Sequence, residues 1–262
     1  MKKTLLFALS LMLMPAVSKA GIPLGDEGYG KYEFTDSVKE SMPYRMLKPQ
    51  EIKENTKYPL VLFLHGHGER GDDNVKQLRH GSLMFTNPAN EDAFPAFVVF
   101  PQCNGPAWTA PYDERTFMPG APVPPESEEE RIVMALLNDL IENYPIDTNR
   151  IYIMGISMGG IGTYDLVVRY PDFFAAAAPI CGAINPERLE VAKNVPFFIF
   201  QGADDHVVPI LAGREAYRAL KKAGANVRYR EYYGAGHDET WIDAFNNPNL
   251  LPWLFSQSKS NR

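Results

Sequence analysis

The chain has few cysteines, no surplus of basic charge, and no apolar run long enough for a comfortable membrane span. Its two cysteines, Cys103 and Cys181, allow at most one disulfide. Each follows an apolar, strand-like run, at 97–101 and 175–180, and these runs would not be neighbours in the fold argued below, so two buried free thiols are expected. Lys and Arg number 26 against 32 Asp and Glu, a net charge of −6, which makes nucleic acid and anionic membrane surfaces poor partners. The longest apolar run, 5–14, is too short to cross a bilayer easily. Internal repeats, low-complexity tracts and linkers that would split off a second domain are also missing. At 262 residues, one large α/β domain is the expectation.

That apolar run has another reading. Lys2 and Lys3 precede it, Pro15 breaks it, and Ser18-Lys19-Ala20 offers the small residues a signal peptidase reads. Residues 1–20 are therefore expected to be a signal peptide and 21–262 the catalytic domain. Removing Lys2, Lys3 and Lys19 takes the net charge to about −9. The mature chain would be periplasmic or secreted and free of the membrane.

Strand-like and helix-like segments alternate along most of the length. Segments 32–34 and 43–47 alternate enough to suggest edge strands, and 60–64 is an unbroken apolar run of the kind buried on both faces. Residues 74–86 are weakly helical, 97–100 forms the next buried strand, and 102–125 is a long loop rich in proline and aromatics. An amphipathic helix is expected over 126–143, with acids in its first turn where the helix dipole favours them. Strands follow at 173–180, 197–200 and 227–232, with helices at 161–169 and 211–222. Such alternation implies a mainly parallel sheet covered by helices on both faces.

The stretch that organises the rest is 151–160, an apolar strand running into Gly155-Ile156-Ser157-Met158-Gly159 and then a helix. Glycines two residues before and two after the serine let strand and helix pass closely, leaving the Ser157 hydroxyl exposed beside the positive end of the helix. That is the position of a nucleophile.

Three other chemically loaded turns also follow predicted strands: His65-Gly66-His67-Gly68, Asp204-Asp205 and His237. In an open parallel sheet all carboxyl ends open on one edge, so these turns should meet there. Ser157 is a weak nucleophile without a base, and the base needs a carboxylate to hold its ring. His237 is the expected base, ahead of His206, His80, His67 and His65, because it ends its own strand in a glycine-rich loop. For the acid the residues leave Asp204 and Asp205 both open. The N–H groups of Met158, at the start of the helix, and of His67 are the expected oxyanion donors. A metal-dependent alternative built on His65, His67, Glu69, Asp72 and Asp73 is disfavoured by Arg70 among the proposed ligands and by the lack of a downstream histidine pair with metal-like spacing. No cofactor or metal is expected.

Taken together, Leu64-His65-Gly66-His67-Gly68-Glu69-Arg70-Gly71-Asp72, Pro101-Gln102-Cys103 with Trp108, the serine turn, Asp205-His206-Val207-Val208-Pro209 and Gly236-His237 resemble the secreted carboxylesterases of the α/β-hydrolase superfamily. The resemblance runs from about residue 43 to the C-terminus and is strongest to the branches that include dienelactone hydrolases, feruloyl and acetylxylan esterases and polyhydroxybutyrate depolymerases. It implies an α/β-hydrolase fold and a serine esterase that forms an acyl-enzyme. It also selects Asp205 as the acid, four residues before a proline. His67 departs from the small or aliphatic residue more usual in such turns. The alternatives are a prolyl-oligopeptidase-like peptidase and a non-catalytic binding relative. The loop 102–125 adds a last expectation: its aromatics, Trp108 foremost with Tyr112 and Phe117, would form a wall for an aryl or carbohydrate ester, unless they simply pack the loop onto the sheet.

Overall fold

The computed structural model describes residues 28–38, 40–109 and 114–261. The expected signal peptide and Tyr112 lie outside them. Among the described residues, no helix is long and apolar enough to cross a membrane.

Eight strands form one sheet: β1 (Gly30–Thr35), β2 (Ser41–Leu47), β3 (Tyr58–Leu64), β4 (Phe97–Pro101), β5 (Ile146–Ile156), β6 (Ala176–Ile180), β7 (Phe197–Gly202) and β8 (Val227–Tyr232). Their order is β1-β2-β4-β3-β5-β6-β7-β8. β1 pairs antiparallel with β2, and β2 with β4, while every later pairing is parallel. The mainly parallel sheet follows from the long apolar runs, whose successive side chains point to opposite faces. In β3, Leu60, Leu62 and Leu64 enter one core while Val61 and Phe63 enter the other. Neither face could be left to water.

One core is closed by α3 (Glu128–Asn143), α4 (Met158–Arg169) and α5 (Ile210–Lys222), and the other by α1 (Ser82–Thr86), α6 (His237–Phe245) and α7 (Leu250–Phe255). A short α2 (Pro88–Ala93) follows α1, capped by the Asn87 side chain, which accepts from the Ala89 N–H. α3 begins with a capping box between Ser127 and Glu130 and turns Ile132, Leu136, Leu137 and Leu140 inward. The weakly helical region near 74–86 resolves into a 3₁₀ turn at Lys76–Leu78 and the single turns of α1, because the left-handed Gly81 interrupts it. Two helices, α6 and α7, follow the last strand beyond the elements expected.

Cys103 and Cys181 are buried and unpaired. They follow β4 and β6, which are held apart by β3 and β5.

Candidate active site

Ser157 sits between β5 and α4 with φ 53° and ψ −117°, a conformation an L-residue adopts only under constraint. The constraint comes from the neighbouring backbone. The Ser157 N–H bonds to the Ile180 carbonyl at the end of β6 (2.9 Å), and its own carbonyl accepts from Ile161 in α4 (3.0 Å). The helix starts directly at Met158, three residues before the expected 161. That start is possible only because Gly155 and Gly159 carry no side chain: a Cβ on Gly155 would lie 2.4 Å from the Gly159 carbonyl oxygen.

His237 places Nε2 2.8 Å from Ser157 Oγ and Nδ1 2.7 Å from Asp205 Oδ2. The structure thus brings together three residues from three turns at the carboxyl edge of the sheet. With Asp205 ionised, Nδ1 carries the proton and donates it to the carboxylate, leaving Nε2 as acceptor for the serine hydroxyl. His237 is the first residue of α6 and not part of a free loop. Its ring is met edge-on by Trp241, one turn along, at 5.0 Å and 78°.

Asp205 and Asp204 have different environments. Asp204 and His206 are exposed, whereas Asp205 is buried. Asp205 Oδ1 accepts from the Val207 and Val208 N–H groups (2.9 and 2.8 Å), and Oδ2 accepts from Gln201 Nε2 (3.2 Å) as well as from His237. Burial by itself would raise its pKa, but the bonds from His237 and the two amides outweigh that and hold the carboxyl below the usual carboxylate range. Gln201, fully buried, also donates to the Val208 carbonyl (2.8 Å) and so fixes the turn that carries the acid. Sequence reasoning passed over this glutamine. Its only signal was a polar residue at the end of an otherwise apolar strand.

His67 is the first residue of a 3₁₀ turn, His67–Glu69, directly after β3, and Met158 is the first of α4. At these first positions the N–H has no carbonyl partner within its own helix. The His67 ring is exposed and accepts from Arg70 Nη2 (2.6 Å). His65 does structural work beneath it: its ring bonds to the Gly66 carbonyl through Nδ1 (2.7 Å) and accepts the Cys103 N–H on Nε2 (2.9 Å). Burial, reinforced by the Arg70 charge, pulls its pKa down to about 4, so the ring is neutral and this pattern holds.

The expected aromatic wall is corrected at Trp108. The indole is 1% exposed, its Nε1 donates to the His65 carbonyl (3.0 Å), and its ring lies 4.9 Å from that of His65. Large apolar area and a satisfied N–H make it a core residue that supports the turn from behind. Phe117 is partly buried and packs on Ile161, Ala183 and Val208.

The ligand-type atoms of Cys181, Asp205 and His237 lie within 4.8 Å of one another. Asp205 and His237 are already bonded to each other, and burial beside Asp205 drives the Cys181 thiol far above its ordinary pKa. The set therefore favours a neutral thiol under the acid over a thiolate ligand. The Cys181 thiol donates instead to the His237 carbonyl at 3.7 Å.

Residues 50–242 match the family described as phospholipase/carboxylesterase. The carboxylesterase SOBER1 of Arabidopsis thaliana is 30% identical over 204 residues, covering 70% of this chain and 88% of that protein. A bifunctional acetylxylan esterase/xylanase of Neocallimastix patriciarum is 27% identical over 160 residues, covering 61% of this chain and 21% of that protein. The crystal structure of a thermostable esterase superposes with a TM-score of 0.82 at 35% identity, covering 90% of this chain; this chain spans 64% of that one. With a serine turn, a buried acid and a histidine gathered at the carboxyl edge of an α/β-hydrolase sheet, the chain belongs to the phospholipase/carboxylesterase family and is a carboxylic ester hydrolase.

Proposed function

We propose that hydrolysis proceeds through an acyl-enzyme on Ser157, with His237 as general base and acid and Asp205 orienting its ring. The contacts of 2.8 Å from His237 to Ser157 and 2.7 Å from His237 to Asp205 carry this reading. His237 Nε2 takes the hydroxyl proton as Oγ attacks the carbonyl carbon, and Asp205 stabilises the imidazolium so formed. The N–H groups of Met158 and His67 receive the oxyanion, each supplying on the order of 3 kcal/mol to the transition state. When the C–O bond breaks, the alcohol leaves with the proton from His237. Water then gives its proton to the same nitrogen as it attacks the acyl carbon, and His237 returns that proton to Oγ as the bond from the acyl carbon to Oγ breaks, releasing the acid and restoring Ser157.

The substrates we propose are acetyl or feruloyl esters of carbohydrates. The acetylxylan esterase relative and the excess of acidic charge, which suits a soluble substrate better than an anionic lipid surface, support this choice. Export after cleavage at Gly21 fits the same role, and N-terminal sequencing of the mature protein would read it directly.

The mechanism is tested with p-nitrophenyl acetate beside a peptide anilide. Ester turnover without anilide turnover is expected, and Ser157→Ala should lose more than about a thousandfold in kcat while keeping its fold. A folded Ser157→Ala variant with normal turnover would remove the mechanism, and preferential anilide cleavage would make the chain a peptidase.

A further inference from the structure

The mechanism above makes no use of Pro101-Gln102-Cys103 at the end of β4, yet its glutamine is a fully buried polar side chain whose hydrogen bonds all run to one loop. Gln102 Nε2 donates to the Glu69 carbonyl and to Asp73 Oδ1, both at 3.0 Å, and Oε1 accepts the Asn74 N–H at 2.6 Å. These partners leave the amide one orientation, since a carbonyl and a carboxylate accept and an N–H donates. Burial would raise the pKa of Asp73, but the Lys76 ammonium and amide, the Gln102 amide and the Val75 N–H hold it well below the usual carboxylate range. Gln102 therefore donates to a charged acceptor, which strengthens the bond.

The loop so held carries the His67 N–H. Glu69 closes the 3₁₀ turn that His67 opens. The turn's own bond, from the Glu69 N–H to the Gly66 carbonyl, is long at 3.4 Å, so the backbone fixes its shape only weakly. Gln102 grips the far end of the turn through the Glu69 carbonyl, and the next residue grips the near end. The Cys103 N–H bonds the His65 ring, which in turn bonds the Gly66 carbonyl at 2.7 Å. That carbonyl and the His67 N–H belong to one planar trans peptide and point in opposite directions, so holding the first aims the second. The Cys103 carbonyl also accepts the Gly71 N–H at 2.9 Å. The strand end is itself anchored, because the Gln102 N–H bonds the Pro43 carbonyl of β2 at 2.8 Å. Beyond the turn, Asn74 keeps a left-handed backbone (φ 52°) and is tied further to the Tyr32 carbonyl of β1 (2.7 Å) and to Gln77 Nε2 (2.6 Å).

We propose that Gln102 is a positioning residue for the oxyanion hole: it clamps the 65–74 loop onto the end of β4 and thereby sets the direction in which the His67 N–H meets the carbonyl oxygen of the ester. This rests on the reading of Ser157 as nucleophile and of the His67 N–H as oxyanion donor, and adds the side chain that holds the donor in place. A well-aimed donor matters most when the tetrahedral oxyanion carries its full charge, so the clamp acts on the transition state more than on bound substrate. Its loss belongs in kcat, with KM little changed.

The experiment compares ethyl acetate with its thionoester, in which sulfur replaces the carbonyl oxygen. Sulfur is larger and a weaker hydrogen-bond acceptor, so the oxygen-to-sulfur ratio of kcat/KM reads the oxyanion donors. Damage to Ser157 or His237, or a smaller folded fraction, scales both substrates alike and leaves the ratio unmoved. Gln102→Met keeps the length of the side chain and loses its bonds to the loop, while Gln102→Glu sets a carboxylate against the Glu69 carbonyl and Asp73. Both variants are expected to lower kcat on ethyl acetate about tenfold with KM within about twofold, and to lower the oxygen-to-sulfur ratio about fivefold. A ratio within about twofold of wild type in both variants would overturn the clamp, whether or not the rate had fallen. A rise in KM with kcat unchanged would overturn it equally. Wild-type protein with no preference for oxygen would instead remove the oxyanion donors, and wild-type protein that turns over no ester would remove the serine mechanism with them.

Discussion

Gly159 and Leu64 stand so close that a Cβ on the glycine would lie 2.0 Å from the Leu64 carbonyl oxygen. The first turn of α4 is thus pressed onto the end of β3, which puts Ser157 and the His65–Gly68 turn side by side. Gly159→Ala must drive the helix away from the strand. It is expected to cost about 3–5 kcal/mol of stability and most of the activity, read by urea melts and ester turnover. Gly68→Ala is the matched control, because nothing lies within 4 Å of a Cβ there and its φ is not positive. A Gly159→Ala protein as stable and active as Gly68→Ala would refute the close approach.

Asp205→Asn is expected to lower kcat by about 10⁴, because the amide cannot stabilise the imidazolium and favours the wrong tautomer of His237. Asp204→Asn should change kcat by less than about threefold, its carboxylate being exposed and not bonded to the ring, whose Nδ1 bonds Asp205. Steady-state kinetics on one ester separates the two, and equal losses would contradict the assignment.

Trp108→Ala should act through stability and not through substrate choice. Removing a buried indole and its bond to the His65 carbonyl is expected to cost about 3–5 kcal/mol. In whatever protein remains folded, KM for aryl and small alkyl esters should change by the same factor. A selective rise for the aryl ester would restore the ring to the substrate wall.

Glu130 introduces a pH dependence far from the serine. Burial and the neighbouring Asp165 push its pKa up to about 9 from 4.5, with Arg169 Nε 3.5 Å away. Burial works against ionised Asp165 too, but hydrogen bonding from Glu130 and the charges of Arg188 and Arg169 hold that carboxyl low. The pair therefore keeps one proton, on Glu130. Because the folded state holds this proton where the unfolded chain has lost it, the contribution is greatest below pH 4.5 and declines as pH rises toward about 9. Glu130→Gln, which stays neutral and can still bond Ser127, should flatten that decline. Denaturant melts from pH 5 to 9 check it, and an unchanged slope in the variant would refute it.

The sequence alone determined the features carried by local pattern. Apolar runs such as 60–64 and 197–200 can be satisfied only by strands buried on both faces, and their alternation with amphipathic helices forces a parallel, doubly covered sheet. The glycines around Ser157 and the placement of each polar turn after a strand were legible for the same reason: parallel strands deliver their carboxyl ends to one edge whatever lies between them. Burial, spacing through the fold and choice between neighbours were not legible, since each depends on residues remote in the chain. Asp205 is distinguished from Asp204 by Gln201, His237 and two backbone amides that only the folded turn assembles. Trp108, read as a binding surface from its proline-rich loop, goes inward because the His65 carbonyl offers its N–H a partner and the core offers its rings more apolar contact than water does. A groove between α1 and α6 was equally hidden, for it exists only where two helices separated by some 150 residues of chain come together over one face of the sheet.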